Sequence, residues 1–293
     1  MPRSMTGYGR SEIQEDGWTQ SWEIRSVNHR HLDVRWRLPL CARPLEAAFE
    51  KALRSQSERG RIEVYLNLSI NRRDLIAQSL NKPLAEAMLE QVEDLAERRG
   101  HEFAPDYMRL LSMSHLWEES GGEPNPELAE SLEQGLLEAV ENWNVFRETE
   151  GRALKKDLSM RLIRLEEWLE GLKDRTPEVK KEKAEALEDR IRKFVEEQSI
   201  ELENSRLVQE VAYLTDRLDV SEELVRLSAH LEQISSVLEQ EGGIGKRLDF
   251  LLQACFREIN TCGNKAQDSR VSRLVVDFKS ELEKCREQVQ NIE

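Results

Sequence analysis

An α+β fold is predicted, with a small N-terminal β-sheet domain followed by a predominantly α-helical region of long helices that ends in a helical hairpin. Three observations predict it. Alternation of apolar and polar residues, the mark of a half-buried strand, is confined to about the first 75 residues. Beyond them, apolar residues recur at spacings of three and four, the mark of an amphipathic helix. The last fifty residues hold two such stripes, Leu248, Leu251, Leu252, Cys255 and then Val271, Leu274, Val275, Phe278, Leu282, Val289. Between them Thr261-Cys262-Gly263-Asn264 reads as a turn.

Taken in order, strands are expected near Ser4–Gln14, Thr19–Val27, Leu32–Leu38 and Arg61–Asn71. The third alternates Leu32, Val34, Trp36, Leu38 against Asp33, Arg35, Arg37. Pro39 ends it, and Pro44 opens a helix near Leu45–Ser57. Strand text then stops. Pro83–Arg99 reads as a helix ended by Gly100, followed by a short helical piece at Pro105–Met113. Gly121-Gly122 with Pro124 and Pro126 is a connection. Glu127–Leu172 reads as one long helix that Gly135 and Gly151 could bend, and Pro177 starts another, charged nearly all round, to about Gln198. Helices at Ser205–Leu218 and Ser221–Gln240 precede the C-terminal hairpin, and Gly242-Gly243 reads as a hinge before it. In Asp219-Val220-Ser221-Glu222, Asp219 has the form of an N-cap with Glu222 completing a capping box. Three regions result: 1–75, 76–204 and 205–293.

A chain of 293 residues can bury a sizeable core. Its formal net charge of −14 disfavours nonspecific binding to duplex nucleic acid. The charge is uneven, however. Residues 1–73 carry 13 Lys/Arg against 9 Asp/Glu, residues 74–241 carry 21 against 40, and residues 242–293 carry 9 against 8. A polyanion could meet either end while an acidic, solvated middle faces water. No apolar run approaches a membrane span and no signal-peptide pattern opens the chain. The four cysteines lack metal-site spacing. A reduced, cytoplasmic protein with no membrane partner is expected.

Among motifs, the stretch around Gly242-Gly243-Ile244-Gly245-Lys246 fails as a phosphate loop, because Gln240 stands where the first glycine belongs and Arg247 where Ser/Thr belongs. Glu223, Arg226 and His230 share one helix face. The plainer reading is a surface ion-pair ladder with a solvated histidine; the functional one is a metal-binding or acid–base face.

Three further stretches narrow the choice. They are Arg3-Ser4-Met5-Thr6-Gly7-Tyr8-Gly9-Arg10 with Glu23–Asp33 and Arg37-Leu38-Pro39; Asp216–Leu227 with His230-Leu231; and Gly245–Gln253 with Arg257–Thr261, Lys265-Ala266 and Glu283–Glu293. Together, in this order and at both ends of the chain, they resemble the YicC/YloC family of bacterial endoribonucleases. Ala254-Cys255-Phe256 departs from the family's usual Glu-Met-Asn, so a carboxylate and an amide are absent there. The resemblance implies cleavage of single-stranded RNA that depends on a divalent cation, Mn²⁺ or Mg²⁺, by a ring-like homo-oligomer, a hexamer.

On that basis Glu223, His230 and Glu258 are the candidate catalytic residues, and Glu223, His230, Asp249 and Glu258 the candidate metal ligands, with Asp216 and Asp219 behind them. Arg226, Arg247, Lys265 and Arg257 are placed on phosphate, because a cleaved phosphodiester needs its charge neutralised and a nucleophile deprotonated. Arg25, His29, Arg30, Arg35 and Arg37 would track the RNA backbone. Two alternatives stay open. His29 and His31 could act as base and acid on the RNA's own 2′-hydroxyl without a metal. The protein could also be a non-catalytic RNA-binding adaptor or chaperone that presents RNA to another nuclease.

Overall fold

Strands β1 (Gly7–Glu15), β2 (Trp18–Val27), β3 (Leu32–Arg37) and β4 (Gly60–Ile70) form one sheet in the order β1-β2-β4-β3. The computed structural model describes residues 2–57, 59–72, 75, 78–119, 125–198, 204–240 and 242–292. The β1–β2 and β2–β4 pairs are antiparallel, and β3 runs parallel to β4. That parallel step is possible because the chain between them crosses over through a 3₁₀ turn at Leu40–Leu45 and helix α1 (Glu46–Arg54). Alternation divides the sheet cleanly. Trp18, Gln20, Trp22, Ile24 and Ser26 of β2 are buried, with Ile62, Val64 and Leu66 beside them on β4. Phe49 and Leu53 of α1 and Leu128, Leu132, Leu136, Ala139 and Trp143 close this core.

The buried polar side chains of Gln20, Trp22, Ser26 and Trp143 on that face are paired, whereas Trp36 Nε1 has no partner among the described residues. Gln20 Nε2 donates to the Ser131 carbonyl at 2.8 Å, its Oε1 accepts from Trp22 Nε1 at 2.8 Å, and Trp143 Nε1 donates to Ser26 Oγ at 2.9 Å. Gly9 and Gly135 are close-approach positions. A Cβ on Gly9 would lie 2.3 Å from the Ala139 carbonyl oxygen, and one on Gly135 would lie 2.5 Å from Gln20 Oε1.

The sequence hides a second, two-stranded sheet, β5 (Gln78–Leu80) with β6 (Trp117–Glu119), flanked by α2 (Lys82–Arg99) and α3 (Tyr107–Leu111). Three-residue strands are too short for alternation to show. Helix α2 is capped by the Asn81 side chain, which accepts from Leu84 N, and it ends at Gly100 in the left-handed conformation, φ 68°. The Gly121-Gly122-Pro124 connection lies outside the described residues.

Helix α4 runs from Pro126 to Gln198 as one element, where the sequence reads two. Pro177 lies inside it, and Thr176 Oγ1 donates back to the Leu172 carbonyl at 2.8 Å in the turn before it. The chain divides into two compact units, Gly7–Val145 and Met1–Thr6 with Phe146–Glu293, so α4 contributes to both and no boundary falls at residue 75.

In the second unit α5 (Asn204–Arg217) leads to α6 (Ser221–Leu238), and the later part of α4 packs with α6, α7 (Gly245–Ala266) and α8 (Ser269–Val289). Helix α7 continues through Thr261-Cys262-Gly263-Asn264, where the sequence reads a turn. The chain reverses instead at Gln267, left-handed with φ 45°, and Asp268 caps α8 by accepting from Arg270 N and Val271 N. Gly263 is tolerated within the helix because it admits α8: a Cβ there would lie 2.9 Å from Val275 Cγ1. Packing thus outweighs a local preference worth ~1 kcal/mol.

The two chain ends meet within this unit. Met5 N donates to the Asn291 carbonyl at 2.8 Å, and the buried Arg147 donates through Nε to the Ser4 carbonyl at 2.8 Å. No helix among the described residues is long and apolar enough to cross a membrane.

Candidate active site along the α6–α7 seam

Helices α6 and α7 are antiparallel neighbours, and two contacts fix their register. Lys265 Nζ donates to Glu223 Oε1 at 2.7 Å, near the start of α6 and the end of α7. Arg247 Nη1 donates to Gln240 Oε1 at 3.0 Å near the opposite ends. Each step up one helix is a step down the other, so seven residues beyond Glu223 stands His230, level with Glu258, seven before Lys265. Residues seven apart lie on one helix face, roughly 10 Å along the axis. The seam therefore carries two levels, or rungs: Glu223 and Lys265 form an ion pair at the first, and His230 and Glu258 share the second without a hydrogen bond or ion pair between them. Arg226 and Thr261 fall between them. The three candidate catalytic residues stand along this one edge.

The first rung is tied down. Glu223 is buried at 9 % exposure, and Lys265 Nζ also donates to the Asp219 carbonyl at 3.1 Å. The hydrogen bond from Lys265 to Glu223 outweighs burial and raises the ammonium's pKa. Asp219 sits one position before the α6 N-cap, which is Val220 and makes no side-chain bond; the capping box read from the sequence does not form. Asp219 instead accepts from Ser221 N at 2.8 Å and from Lys180 Nζ at 2.7 Å, and Lys180 foremost holds its carboxyl well below the usual carboxylate range. Asp216 is exposed at the end of α5.

The second rung is less committed. His230 and Glu258 are half-buried, and His230 Nδ1 is buried with no hydrogen-bond partner among the described residues. Arg226 is exposed and paired with Glu222, and Arg257 is exposed one residue before Glu258.

The four candidate metal ligands do not converge within one chain. Asp249 and Glu258 are nine residues apart on α7, which puts them on opposite sides of the helix. Asp249 faces α8, where it accepts from Arg286 Nε at 3.2 Å, and Gln253 Nε2 donates to it at 2.8 Å. Glu223 is ion-paired two turns from His230. Among the described residues no three His, Cys, Asp or Glu side chains gather where they could hold a metal ion. Glu223 and His230 share a helix face, but two helical turns exceed the reach of one coordination sphere. Cysteines do not fill the gap. Burial pushes the thiols of Cys255 and Cys285 up to about 12 and that of Cys262 up to about 11, so they remain protonated packing groups. Ala254-Cys255-Phe256 likewise packs, with Cys255 fully buried and Phe256 against the core.

The basic strand and loop belong to the sheet-bearing unit. Arg25 Nε donates to Glu23 at 2.7 Å, and Arg35 lies 3.4 Å from Asp33, which Arg61 also contacts at 3.0 Å. Arg37 lies over the Tyr65 ring at 5.0 Å. Arg30 is exposed in the β2–β3 loop, where His29 Nδ1 is 2.8 Å from the His31 carbonyl oxygen. Sequence reasoning overlooked Thr261 on the seam and Lys180 beside Asp219. Only Thr261 had a readable signal, at i+3 from Glu258.

A small antiparallel-dominated sheet joined to a long-helix bundle, with carboxylates, an imidazole and cations along one helix seam, defines an α+β protein with a candidate acid–base site. Comparison with known proteins places it further. Residues 3–156 match the family model described as the endoribonuclease YicC-like N-terminal region, and residues 172–293 match that of the endoribonuclease YicC-like C-terminal domain. A probable endoribonuclease YicC of Clostridioides difficile strain 630 is 30 % identical over 294 residues, covering 100 % of both chains. One from Haemophilus influenzae is 30 % identical over 296 residues, covering 99 % of both. The chain belongs to the endoribonuclease YicC-like family.

Proposed function

We propose that the protein is an endoribonuclease that cleaves single-stranded RNA at the α6–α7 seam. The observation that carries this reading, beside full-length family membership, is the register of α6 against α7, which puts His230 and Glu258 at one level of the seam. An imidazole and a carboxylate at one level of a seam are residue types that can take and give a proton on one bound substrate. Lys265, Arg226 and Arg257 supply positive charge along the same edge for the phosphate. Arg25, His29, Arg30, Arg35, Arg37 and Arg247 contact the RNA backbone. A divalent cation, Mn²⁺ or Mg²⁺, belongs to the proposal as a Lewis acid at the scissile phosphate. Its ligands would have to come from more than one copy of the chain, in keeping with a homo-oligomer such as a hexamer, because one chain does not bring Glu223, His230, Asp249 and Glu258 together.

The test is incubation of purified protein with labelled single-stranded RNA, with Mn²⁺, with Mg²⁺ and with EDTA. Wild type is expected to cut internally with either ion and to stop in EDTA. His230→Ala and Glu258→Gln are expected to lose cleavage by a factor of about 100 or more while keeping RNA affinity and thermal stability. Full activity in both would remove the rung from the mechanism. Cleavage that persists in EDTA and fails on 2′-deoxy substrate would favour His29 and His31.

One observation favours a second reading. Glu223 is already neutralised by Lys265, as a structural ion pair would be. An RNA-binding adaptor without chemistry of its own would bind RNA in every arm and cut it in none.

A further inference from the structure

The face of the four-stranded sheet opposite its core is open, and its register draws one pattern across all four strands. Tyr8 on β1 stands directly beside Arg25 on β2, and Tyr65 on β4 stands directly beside Arg37 on β3. Glu63, beside Arg25 on β4, accepts from the Tyr65 hydroxyl at 2.8 Å, and Arg37 lies over the Tyr65 ring at 5.0 Å. The Tyr65 ring is thus fixed from two sides and is half-buried. Tyr8 is 41 % exposed and the Arg25 side chain 64 % exposed. Tyrosine and arginine alternate diagonally from one sheet edge to the other.

From the plain alternative, a solvated face of ion pairs, an exposed ring such as that of Tyr8 is not expected: the outward positions of a solvated strand are filled more cheaply by Thr, Ser, Lys or Glu. This face also carries five arginines against four carboxylates in a chain of net charge −14, so it escapes the acidity of the rest of the protein, and Arg37 lies on it without a carboxylate partner among the described residues. Aromatic faces interleaved with guanidinium groups suit one partner in particular. Unpaired bases stack on the rings while the intervening phosphates meet the arginines. Duplex nucleic acid does not fit, because its bases are already stacked on each other. The two tyrosines are two strands apart and two residues apart along the strands, so about 12 Å separates their Cα atoms. They would take two splayed bases rather than a stacked neighbouring pair.

We propose that this sheet face is a base-stacking platform for single-stranded RNA, with Tyr8 and Tyr65 each taking one base and Arg25 and Arg37 the adjoining phosphates. The proposal rests on the reading of the protein as one that acts on single-stranded RNA and adds what that reading lacks, a contact with the bases.

The experiment compares binding of two fluorescently labelled 12-mers by anisotropy, in EDTA so that cleavage plays no part. One is oligouridylate; the other has the same ribose-phosphate backbone without bases. Phosphate contacts alone bind both equally. Stacking of two bases makes wild type bind oligouridylate at least about tenfold more tightly. Tyr8→Leu/Tyr65→Leu is expected to abolish that ratio, and Tyr8→Phe/Tyr65→Phe to keep it, since stacking needs the ring and not the hydroxyl. Thermal melts of both double variants check that the sheet is intact. Equal binding of the two oligomers by wild type, binding of neither, or an unchanged ratio in a folded leucine variant overturns the platform. Failure of the nuclease reading is seen elsewhere: a protein that distinguishes the two oligomers yet cuts no RNA with Mn²⁺ keeps the platform and loses the catalytic seam.

Discussion

Glu281 shows how one residue can matter to this fold without touching the chemistry. Its carboxylate is 3 % exposed on α8 and accepts from Arg161 Nη1 at 2.7 Å and Lys284 Nζ at 3.1 Å, with Arg164 at 3.7 Å. Burial pushes its pKa up, but Lys284 and Arg161 together outweigh burial and the net shift is downward. A carboxyl whose pKa is lower folded than unfolded stabilises the fold above the unfolded value, ~4.3, and loses that contribution as pH falls through the folded one. Glu281→Gln is therefore expected to cost roughly 2 kcal/mol at pH 7. The Tm gap between wild type and variant should be widest at neutral pH and narrow below about pH 4. A gap constant from pH 7 to pH 3 would mean that the charge on Glu281 does not matter. Asp268, held low by Arg175 foremost, adds to the same acid sensitivity in both proteins. Neither Glu281 nor Asp268 could be singled out in the sequence, because their partners on α4 are about a hundred residues away and no spacing rule spans that distance. Glu223 and His230 could be, since they share one helix.

At the level of elements, the strands were readable wherever one face is buried and the other wet. The observed β2, β3 and β4 begin and end within a residue of their expected bounds, because alternation registers burial directly. The expected first strand started at Ser4, three residues early: Ser4 is buried and bridges Ile292 instead of entering the sheet. Local signals misled where tertiary contact overrode them, at Gly263 in α7 and at Pro177 in α4. Glycine is better understood here through what it admits. Gly9 lies where β1 crosses α4, and any Cβ would meet the Ala139 backbone oxygen, which cannot turn aside. Gly9→Ala is expected to cost about 2–3 kcal/mol by forcing strand and helix apart. Gly263→Ala meets only a side chain and gains ~1 kcal/mol of helix propensity, so its net effect should be small. Chemical denaturation of the two variants tests the contrast; equal losses would mean that the approach of β1 to α4 is not the constraint.

Taken whole, a molecule that cleaves RNA as proposed must attract a polyanion while carrying a net charge of −14. Its cations are largely spoken for: Arg25, Arg35, Arg61 and Lys265 all have carboxylate partners. Among those assigned to RNA, Arg30, Arg37, Arg247 and Arg257 have none among the described residues, so few counterions should be released when RNA binds. For single strands each phosphate contact adds about −0.7 to the slope of log K against log salt. Three or four contacts then give a slope of about −2 to −3, shallow for a nucleic-acid-binding protein. Arg37→Ala should flatten the slope by about 0.7, whereas Arg35→Ala, which removes a cation already paired with Asp33, should change it less. Duplex RNA of the same length offers the same charge with its bases hidden, and against an acidic protein it should bind weakly at physiological salt. Anisotropy titrations across a salt series, on single-stranded and duplex RNA in EDTA, measure all three quantities. A steep slope with equal affinity for both forms would show that charge alone recruits the RNA. A shallow slope with strong preference for the single strand would show that recognition depends on exposed bases and a few uncommitted arginines.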